Sequence, residues 1–381
     1  MAGPDAGLKM GKPPATLGDI AKSLSTSIGT VHRALHDHPG VSPATKARVL
    51  QMARNLGYRP NLAARYLSSK KTLRISVNTL QGTTSFWDEV RAGIREEAAG
   101  ILLENVEVEF RTCPSLGEGE EEALEAAIAA QVDGIITFPS RPETLRSWIR
   151  RASRSHIPVV CVATDAPNSG RLGIVAIDTL ASGAIAADLM GRFLGGRTGS
   201  VGITVFDMGI TEHAEKYGAF ESTLKSFYPH LELLRPIEDH DVEREAYRKC
   251  RKLFEERTDL TGIYVTTEAS IPVLNAACDA KVLDRLTVIT TDLFSDLVPY
   301  IRSGAVAATI YQRPRAQGQM ALRLLHEFLA EGGRRSNQVS LAPHLVMRGN
   351  LDFFLSRQSQ ESASKNGQNG QESRRLVQDL A

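Results

Sequence analysis

Apolar positions near the amino terminus recur at helical spacing. In "TLGDIAKSL" the residues Leu17, Ile20, Ala21 and Leu24 share one face, and Thr16 with Asp19 three residues on makes a capping-box-like start. "STS" interrupts the pattern. Ile28, Val31, Ala34 and Leu35 resume it and leave Gly29, Thr30, His32 and Arg33 off the apolar stripe. "DHPG" stops that second helix. In "VSPATKARVLQMARNLGY", Ser42 is placed to cap and Pro43 to open a third amphipathic helix that runs to about Asn55, with Gly57 closing it. Pro60 can begin a short further helix over 61–67, ahead of a polar, basic linker that ends at 72. From Leu73 the rhythm changes. "LRISVNTL" reads as a strand, "FWDEVRAGIREEAAGIL" as a helix, "VEVEFRTC" as a strand, and the alternation continues through "VDGIITFPS" and "IPVVCVATD". It restarts after about Thr179 with the helix "ASGAIAADLMGRFLGG" and the strands "SVGITVF", "LELLRPI", "LTGIYVTT" and "LTVITTD". Alternation at this period predicts parallel, doubly wound sheets. Two such halves in tandem predict a bilobed α/β body.

Composition and charge sharpen this division. The chain has 381 residues, 42% of them hydrophobic and 23% charged, enough to bury cores in more than one domain. Its net charge of +1 hides an asymmetry: residues 1–75 hold twelve Lys/Arg against three acidic residues, a surplus of nine, which leaves the remainder eight negative charges in excess. A basic segment joined to an acidic body is the footprint of a polyanion-binding module. The four cysteines, Cys113, Cys161, Cys250 and Cys278, lie far apart, so their spacing suggests neither a metal knuckle nor a cofactor, and Cys161 in "PVVCVA" reads as a small buried hydrophobe. The amino terminus has no apolar signal-peptide core and no run reaches membrane-span length, which predicts a cytoplasmic protein that makes no use of a membrane. Residues 1–15, rich in Gly, Pro and Lys, and the polar tail 356–381 are expected to be disordered.

Helix, polar turn, helix is the helix-turn-helix arrangement, whose second helix enters the major groove. Small residues on its outer face let it seat against base edges, and Arg33 can pair bidentately with guanine O6 and N7. Lys46, Arg48 and Arg54 on the next helix suit phosphates. The motifs "TLGDIAKSLSTSIGTVHRAL", "VSPATKARV" and "LGYRPNLAARYL" resemble, in order and spacing, the DNA-binding headpiece of the lac repressor family of bacterial transcription regulators. The resemblance implies a helix-turn-helix domain over 16–58 and a hinge helix and linker over 59–72. It puts Ile28, Gly29 and Arg33 at base-reading positions, with Thr16, Ser27, Thr30 and His32 beside them on the DNA-facing surface. It also implies that Asn61, Ala64 and Leu67 lie on a hinge helix that pairs with its copy in a homodimer, Leu67 wedging between base steps of the minor groove. Two-fold symmetry makes the operator an approximate palindrome. This chain departs from the family pattern at Ser25–Thr26–Ser27, usually Gly-Val-Ser, and at His32, usually Ser.

The body, 73–355, resembles type I periplasmic sugar-binding proteins, above all the ribose-binding branch, through "FWDEVRAGIREEA", "VDGIITFPS", "IPVVCVATDAPNSGR", "TDLFSD" and "IYQRP". In such folds the ligand sits at the carboxyl ends of strands, between the lobes. Phe86 and Trp87 follow the first strand and could sandwich a sugar ring. Arg141 follows "TFPS", Asp165 ends the fourth strand and Arg171 lies in the next turn. The resemblance places Asp292 and Gln312 at ligand-binding positions, where carboxylate and amide suit vicinal hydroxyls. It sets Thr267 where many relatives carry Asn, and Lys216 where the family commonly has a ligand-binding Arg. His213 and Glu215 share that region, but a lone His is more often structural than a ligand contact. Asp178 reads as a helix cap.

Two motifs read as near misses. "GRFLGGRT" has Arg197 where a phosphate-binding loop needs Lys, and it closes a helix where that loop must leave a strand. "EGEEEALE" reads as a solvated helix face. The expectation is a DNA-binding regulator, a repressor in character and not an enzyme, whose operator affinity is set by a sugar- or polyol-like effector. The body alone would also suit a periplasmic sugar receptor, which the basic amino-terminal unit argues against. Hydrolysis of a sugar bond in the cleft is the enzymatic alternative.

Overall fold

A computed structural model describes residues 17–35, 40–56, 72–81, 85–101, 106–240, 242–331 and 337–356. The amino-terminal unit and the body are separate compact units. In the first, α1 (Leu17–Ser23), α2 (Ile28–Leu35) and α3 (Pro43–Asn55) close on a small core of Ile20, Ala21, Val31, Ala34, Val49 and Ala53. The turn between α1 and α2 passes through Ser25 at φ 51, a left-handed conformation. Ser27 then caps α2, its hydroxyl accepting from Thr30 N at 3.1 Å, and Ser42 caps α3 through Thr45 N at 3.2 Å. The core is small because three short helices bury little surface.

The first sheet of the body contains β1 (Leu73–Leu80), β2 (Val106–Cys113), β3 (Gly134–Thr137), β4 (Val159–Val162) and β5 (Gly173–Ile177), connected by α4 (Ser85–Gly100), α5 (Glu120–Ala129) and α6 (Pro142–Arg154). Helix α7 (Thr179–Leu194) leads to the second sheet: β6 (Gly199–Val205), α8 (Thr211–Phe227), β7 (Leu231–Leu233), β8 (Ile237–Glu238), α9 (Glu243–Glu256), β9 (Leu260–Val265), α10 (Ser270–Asp279), β10 (Thr287–Thr291), α11 (Val298–Ser303) and β11 (Ala308–Tyr311). The chain continues through α12 (Pro314–Glu331), β12 (Asn337–Leu341) and β13 (His344–Val346), and its described course ends in helical residues 351–356. Central strands such as β3 and β4 are buried at every residue, as parallel strands covered on both faces must be.

Three expectations are corrected here. The halves are not in simple tandem, because β12 pairs with β5 and gives the first sheet the order β12-β5-β4-β3-β1-β2. Helix α12 also belongs to that lobe, where Ala321, Leu322 and Leu325 join the core around Val77 and Ile94. The chain therefore returns to the first lobe after building the second. Periodicity reveals that a helix has an apolar face, not which sheet the face covers. The second sheet is not wholly parallel either, since β13 runs antiparallel to β11. Finally, the single strand expected in "LELLRPI" is broken into β7 and β8, both paired to β6. Pro236 lies between them and has no N–H for the ladder.

Helices α4 and α12 touch through glycines. A Cβ on Gly93 would lie 2.0 Å from the Arg315 carbonyl oxygen, and one on Gly318 would lie 2.2 Å from that of Val90. Arg315 locks the pair by ion pairs to Glu89 at 2.7 Å and Glu96 at 2.8 Å. Gly93→Ala should therefore destabilise the body by about 1–3 kcal/mol, the usual penalty of overpacking, measured as a lowered melting temperature. An unchanged melting temperature would rule out so close an approach.

Candidate functional site

The outer surface of α2 carries the first set of candidate residues. Val31 and Ala34 face the core, whereas Ser27, Ile28, Gly29, His32 and Arg33 are exposed and Thr30 is partly so. Ile28 is a large apolar side chain at 56% exposure, available for contact with another surface. Thr30 shares its hydroxyl with that of Ser27 at 2.9 Å, so those two side chains brace the amino end of α2. Thr16, Asn61, Ala64 and Leu67 lie outside the described residues.

The second set gathers at the carboxyl ends of the parallel strands of the body, around a cavity with about 670 Å³ of empty space, part of it open to solvent. Its two walls differ. The first lobe supplies Leu80 from β1, Phe86 and Trp87 from the first turn of α4, Leu116, Phe138 and Ala163, with Thr164 the polar exception. Trp87 packs on Phe138 with ring centroids 4.5 Å apart and on Phe86 at 5.1 Å. Arg91, buried one turn further along α4, donates to Leu80 O at 2.9 Å and Thr79 Oγ1 at 3.0 Å and so holds the end of β1 in place. The second lobe supplies Glu212, His213 and Lys216 from α8, Thr266, Thr267 and Glu268 after β9, Asp292 after β10 and Gln312 after β11.

These polar groups form one chain of contacts. Lys216 Nζ pairs with Glu212 one turn away and donates to Gln312 Oε1 at 2.9 Å. Gln312 in turn gives Asp292 two hydrogen bonds, from its backbone N at 3.1 Å and from Nε2 at 2.7 Å. Asp292 itself sits at φ 66, a left-handed backbone that a non-glycine residue adopts only when its surroundings enforce it. Burial, then the nearby charge of Glu268, pushes the Asp292 carboxyl up to about 7. Burial opposes the Lys216 ammonium, but Glu212 outweighs it and holds Lys216 above the ordinary lysine value. Burial pushes His213 down to about 4, so the ring is neutral. His213 Nδ1 lies 3.2 Å from Thr266 Oγ1, whose single hydrogen goes to Thr204 O at 2.8 Å, so Nδ1 carries the ring proton and Nε2 is an acceptor.

Among the described residues, side-chain contacts bridge the lobes beside the cavity. Arg141, at the start of α6, pairs with Asp207 at 2.7 Å. Glu268 Oε1 accepts from Ser85 Oγ and Phe86 N, both at 2.6 Å, and thus caps α4 from the opposite lobe. Glu120 stands behind the first bridge. It accepts from Ser140 N at 3.1 Å and Gly117 N at 2.8 Å, as well as from the Ser140 hydroxyl, and so orients the segment that carries Arg141.

Phe86, Trp87, Lys216, Thr267, Asp292 and Gln312 thus come together at the cavity. Arg141, Asp165 and Arg171, expected at the ligand, do not line it. Arg141 is taken up by Asp207, and Arg171 pairs with Asp165, Nη2 to Oδ2 at 2.6 Å. A strand end locates a residue near the cleft but not the partner that claims its charge. Glu120 corrects the solvated reading of the acidic run, being 3% exposed. Asp178 caps α7 through Ala181 N at 2.8 Å, and Gly195, at φ 58, ends that helix before β6, so the segment resembling a phosphate loop is a helix terminus. Glu212 and Glu268 were missed, although both carried signals. Glu212 precedes Lys216 by four residues on a helix, and Glu268 follows the end of strand "YVTT".

Two ionisations here pull the stability of the body in opposite directions. His213 is at about 4 in the fold against an ordinary 6.5, so acidification through that window protonates the unfolded chain first and destabilises the fold. Asp292 is at about 7 in the fold against an ordinary 3.8, so in that window the folded chain holds the extra proton and acid stabilises it. Asp292→Asn removes only the second contribution. Its melting temperature relative to the parent should fall as the pH is lowered from about 7 towards 4, and a constant difference in paired melting curves would contradict the assignment.

Comparison with known proteins bears on both sites. Residues 75–334 match the family model for a periplasmic binding protein domain. Residues 16–61 match the model for bacterial regulatory proteins of the lacI family. The chain belongs to the periplasmic binding protein domain family and carries a lacI-family DNA-binding region at its amino terminus. Among its relatives is catabolite control protein A of Priestia megaterium, 28% identical over 87% of this chain and 97% of that one. The protein of the same name from Staphylococcus epidermidis is 25% identical over 88% and 98%. The body also shares its fold with solved structures. A glucose-galactose binding protein from Geobacillus stearothermophilus matches at TM-score 0.68 and 22% identity, over 74% of this chain and 99% of its own. An ABC transporter solute binding protein from Agrobacterium vitis with bound D-fucose matches at TM-score 0.68 and 21% identity, over 73% and 97%. With a lacI-type helix-turn-helix region ahead of an effector domain of the periplasmic-binding-protein type, the chain is a DNA-binding transcription regulator. Among the described residues no helix is long and apolar enough to cross a membrane.

Proposed function

We propose that a sugar- or polyol-class effector, seated in the cavity of the body, sets how tightly this regulator holds its operator. The observation that carries the reading is the cavity itself. Aromatic rings line one side and a connected carboxylate, amide and ammonium set lines the other, at the strand ends where this fold takes ligands. The solved relatives of this fold include a protein with D-fucose bound, which agrees with a ligand of that size. An effector can shift the equilibrium only by binding one arrangement of the lobes better than another. The bridges from Arg141 to Asp207 and from Glu268 to the start of α4 would favour the closed arrangement.

On the DNA side, the exposed face of α2 reads bases through Ile28, Gly29 and Arg33, while Thr16, Ser27, Thr30 and His32 support its seating. The protein acts in the cytoplasm as a homodimer on an approximately palindromic operator, with Asn61, Ala64 and Leu67 in the minor groove. The cavity binds its ligand and releases it unchanged. The test is a titration of the full chain onto candidate operator and scrambled duplexes, with monosaccharides and polyols supplied or withheld. A preference for one duplex that a sugar alters, with affinity falling steeply as salt rises, is the expected result. Equal binding to scrambled DNA under every condition would end the proposal. Breaking both bridges together, by Arg141→Ala with Glu268→Ala, should weaken the response to effector by about ten-fold, as the loss of two charged contacts worth about 1 kcal/mol or less each would do. The same titrations measure it.

A further inference from the structure

The polar wall of the cavity is rich in acceptors and short of positive charge. Among the described residues that line it, the carboxylates of Glu212, Glu268 and Asp292 face one cationic side chain, Lys216. That ammonium is already paired with Glu212 and bonded to Gln312. Glu268 has the amino end of α4 as its partner, where the helix dipole offsets part of its charge. Asp292 has no cation in its hydrogen-bond shell, only the neutral backbone and side-chain amides of Gln312, and its left-handed backbone fixes the carboxylate there. The neutral His213 adds a further acceptor at Nε2. On the opposite wall, the Thr164 hydroxyl is buried without a partner, beside the rings of Trp87 and Phe138.

We propose that the natural effector is a cation: a sugar-sized molecule that bears a protonated amine as well as hydroxyls, and not a phosphorylated or carboxylated sugar. Resting on the reading of the cavity as the effector site, this assigns Asp292 as the counter-charge, which the bound ammonium itself holds in the ionised form. An ammonium brings three N–H donors to a wall of acceptors, and the aromatic rings opposite attract cations as well as sugar C–H groups. An anionic ligand would instead be desolvated next to carboxylates, with the one lining ammonium engaged elsewhere, a heavy penalty for a buried charge.

The experiment is isothermal titration calorimetry of the full chain near neutral pH with three matched series: glucosamine, glucose and glucuronate, and the galacto and manno counterparts. In at least one series the amine should bind about ten-fold or more tightly than its neutral parent, a difference of about 1.4 kcal/mol, and the uronate more weakly than both. Asp292→Asn, which keeps the shape, should bring amine and parent to parity. Neutral sugars or uronates that bind as tightly as the amines, or amines that do not bind, overturn the charge assignment while the effector-site reading stands on the sugars that do bind. If no member of any series binds, both fall.

Discussion

Replacing Lys216 with methionine is expected to destabilise the body by about 3–5 kcal/mol, because it leaves the Glu212 carboxylate buried without its counter-ion. The side chains of Lys216 and Glu212 are 1% and 16% exposed, so water can do little to repair the loss. The replacement also removes the donor that holds Gln312 Oε1 and, through Gln312, the setting of Asp292. Removing both charges, by Lys216→Met with Glu212→Gln, should recover part of the stability, since no buried charge is then left unpaired and only neutral amides lose partners. Effector response should stay lost in both variants, because both side chains wall the cavity. Chemical denaturation of the three proteins separates these effects. If the double variant is no more stable than the single one, the two groups are not coupled as described.

Arg33→Ala should lower affinity for the operator by about 10- to 100-fold, the equivalent of about 1–3 kcal/mol for one bidentate base contact, while non-specific DNA loses little. Arg33 is exposed on α2 between the buried Val31 and Ala34, so truncation removes a reaching group without opening the small core. Lys46→Ala provides the contrast. If Lys46 serves a phosphate, its loss should weaken operator and scrambled DNA alike and reduce the salt slope by about one. Filter binding at several salt concentrations distinguishes the two patterns. Uniform loss from Arg33→Ala would remove that residue from base reading.

Part of the cavity lining was legible in the amino-acid sequence. Phe86, Trp87, Asp292 and Gln312 follow strand ends or match a family motif, and the ends of parallel strands are where this fold leaves backbone groups and side chains open to a ligand. Pairing among charges was not legible. Arg141, Asp165 and Arg171 satisfy the same positional rule, yet the fold gives each an acidic or basic partner of its own. Glu120 shows the converse: an acidic run of solvent-like composition contains one carboxylate that folding buries against Ser140 and Gly117.

The sequence by itself determined the local elements, since the caps at Ser27 and Ser42, the helical stripe of α2 and the strand–helix alternation depend on neighbours a few residues apart. It also determined the charge division between basic headpiece and acidic body, which needs no geometry. Only the tertiary structure decided that the chain returns to add α12 and β12 to the first lobe, that Glu268 caps a helix of the opposite lobe, and that the Asp292 carboxylate takes its hydrogen bonds from the amides of Gln312. Such outcomes join residues far apart along the chain, as the contacts of Arg74 N with Asp133 and of Arg315 with Glu89 illustrate. Local pattern carries no record of such contacts, because close packing and burial select partners by position in space and not by order along the chain.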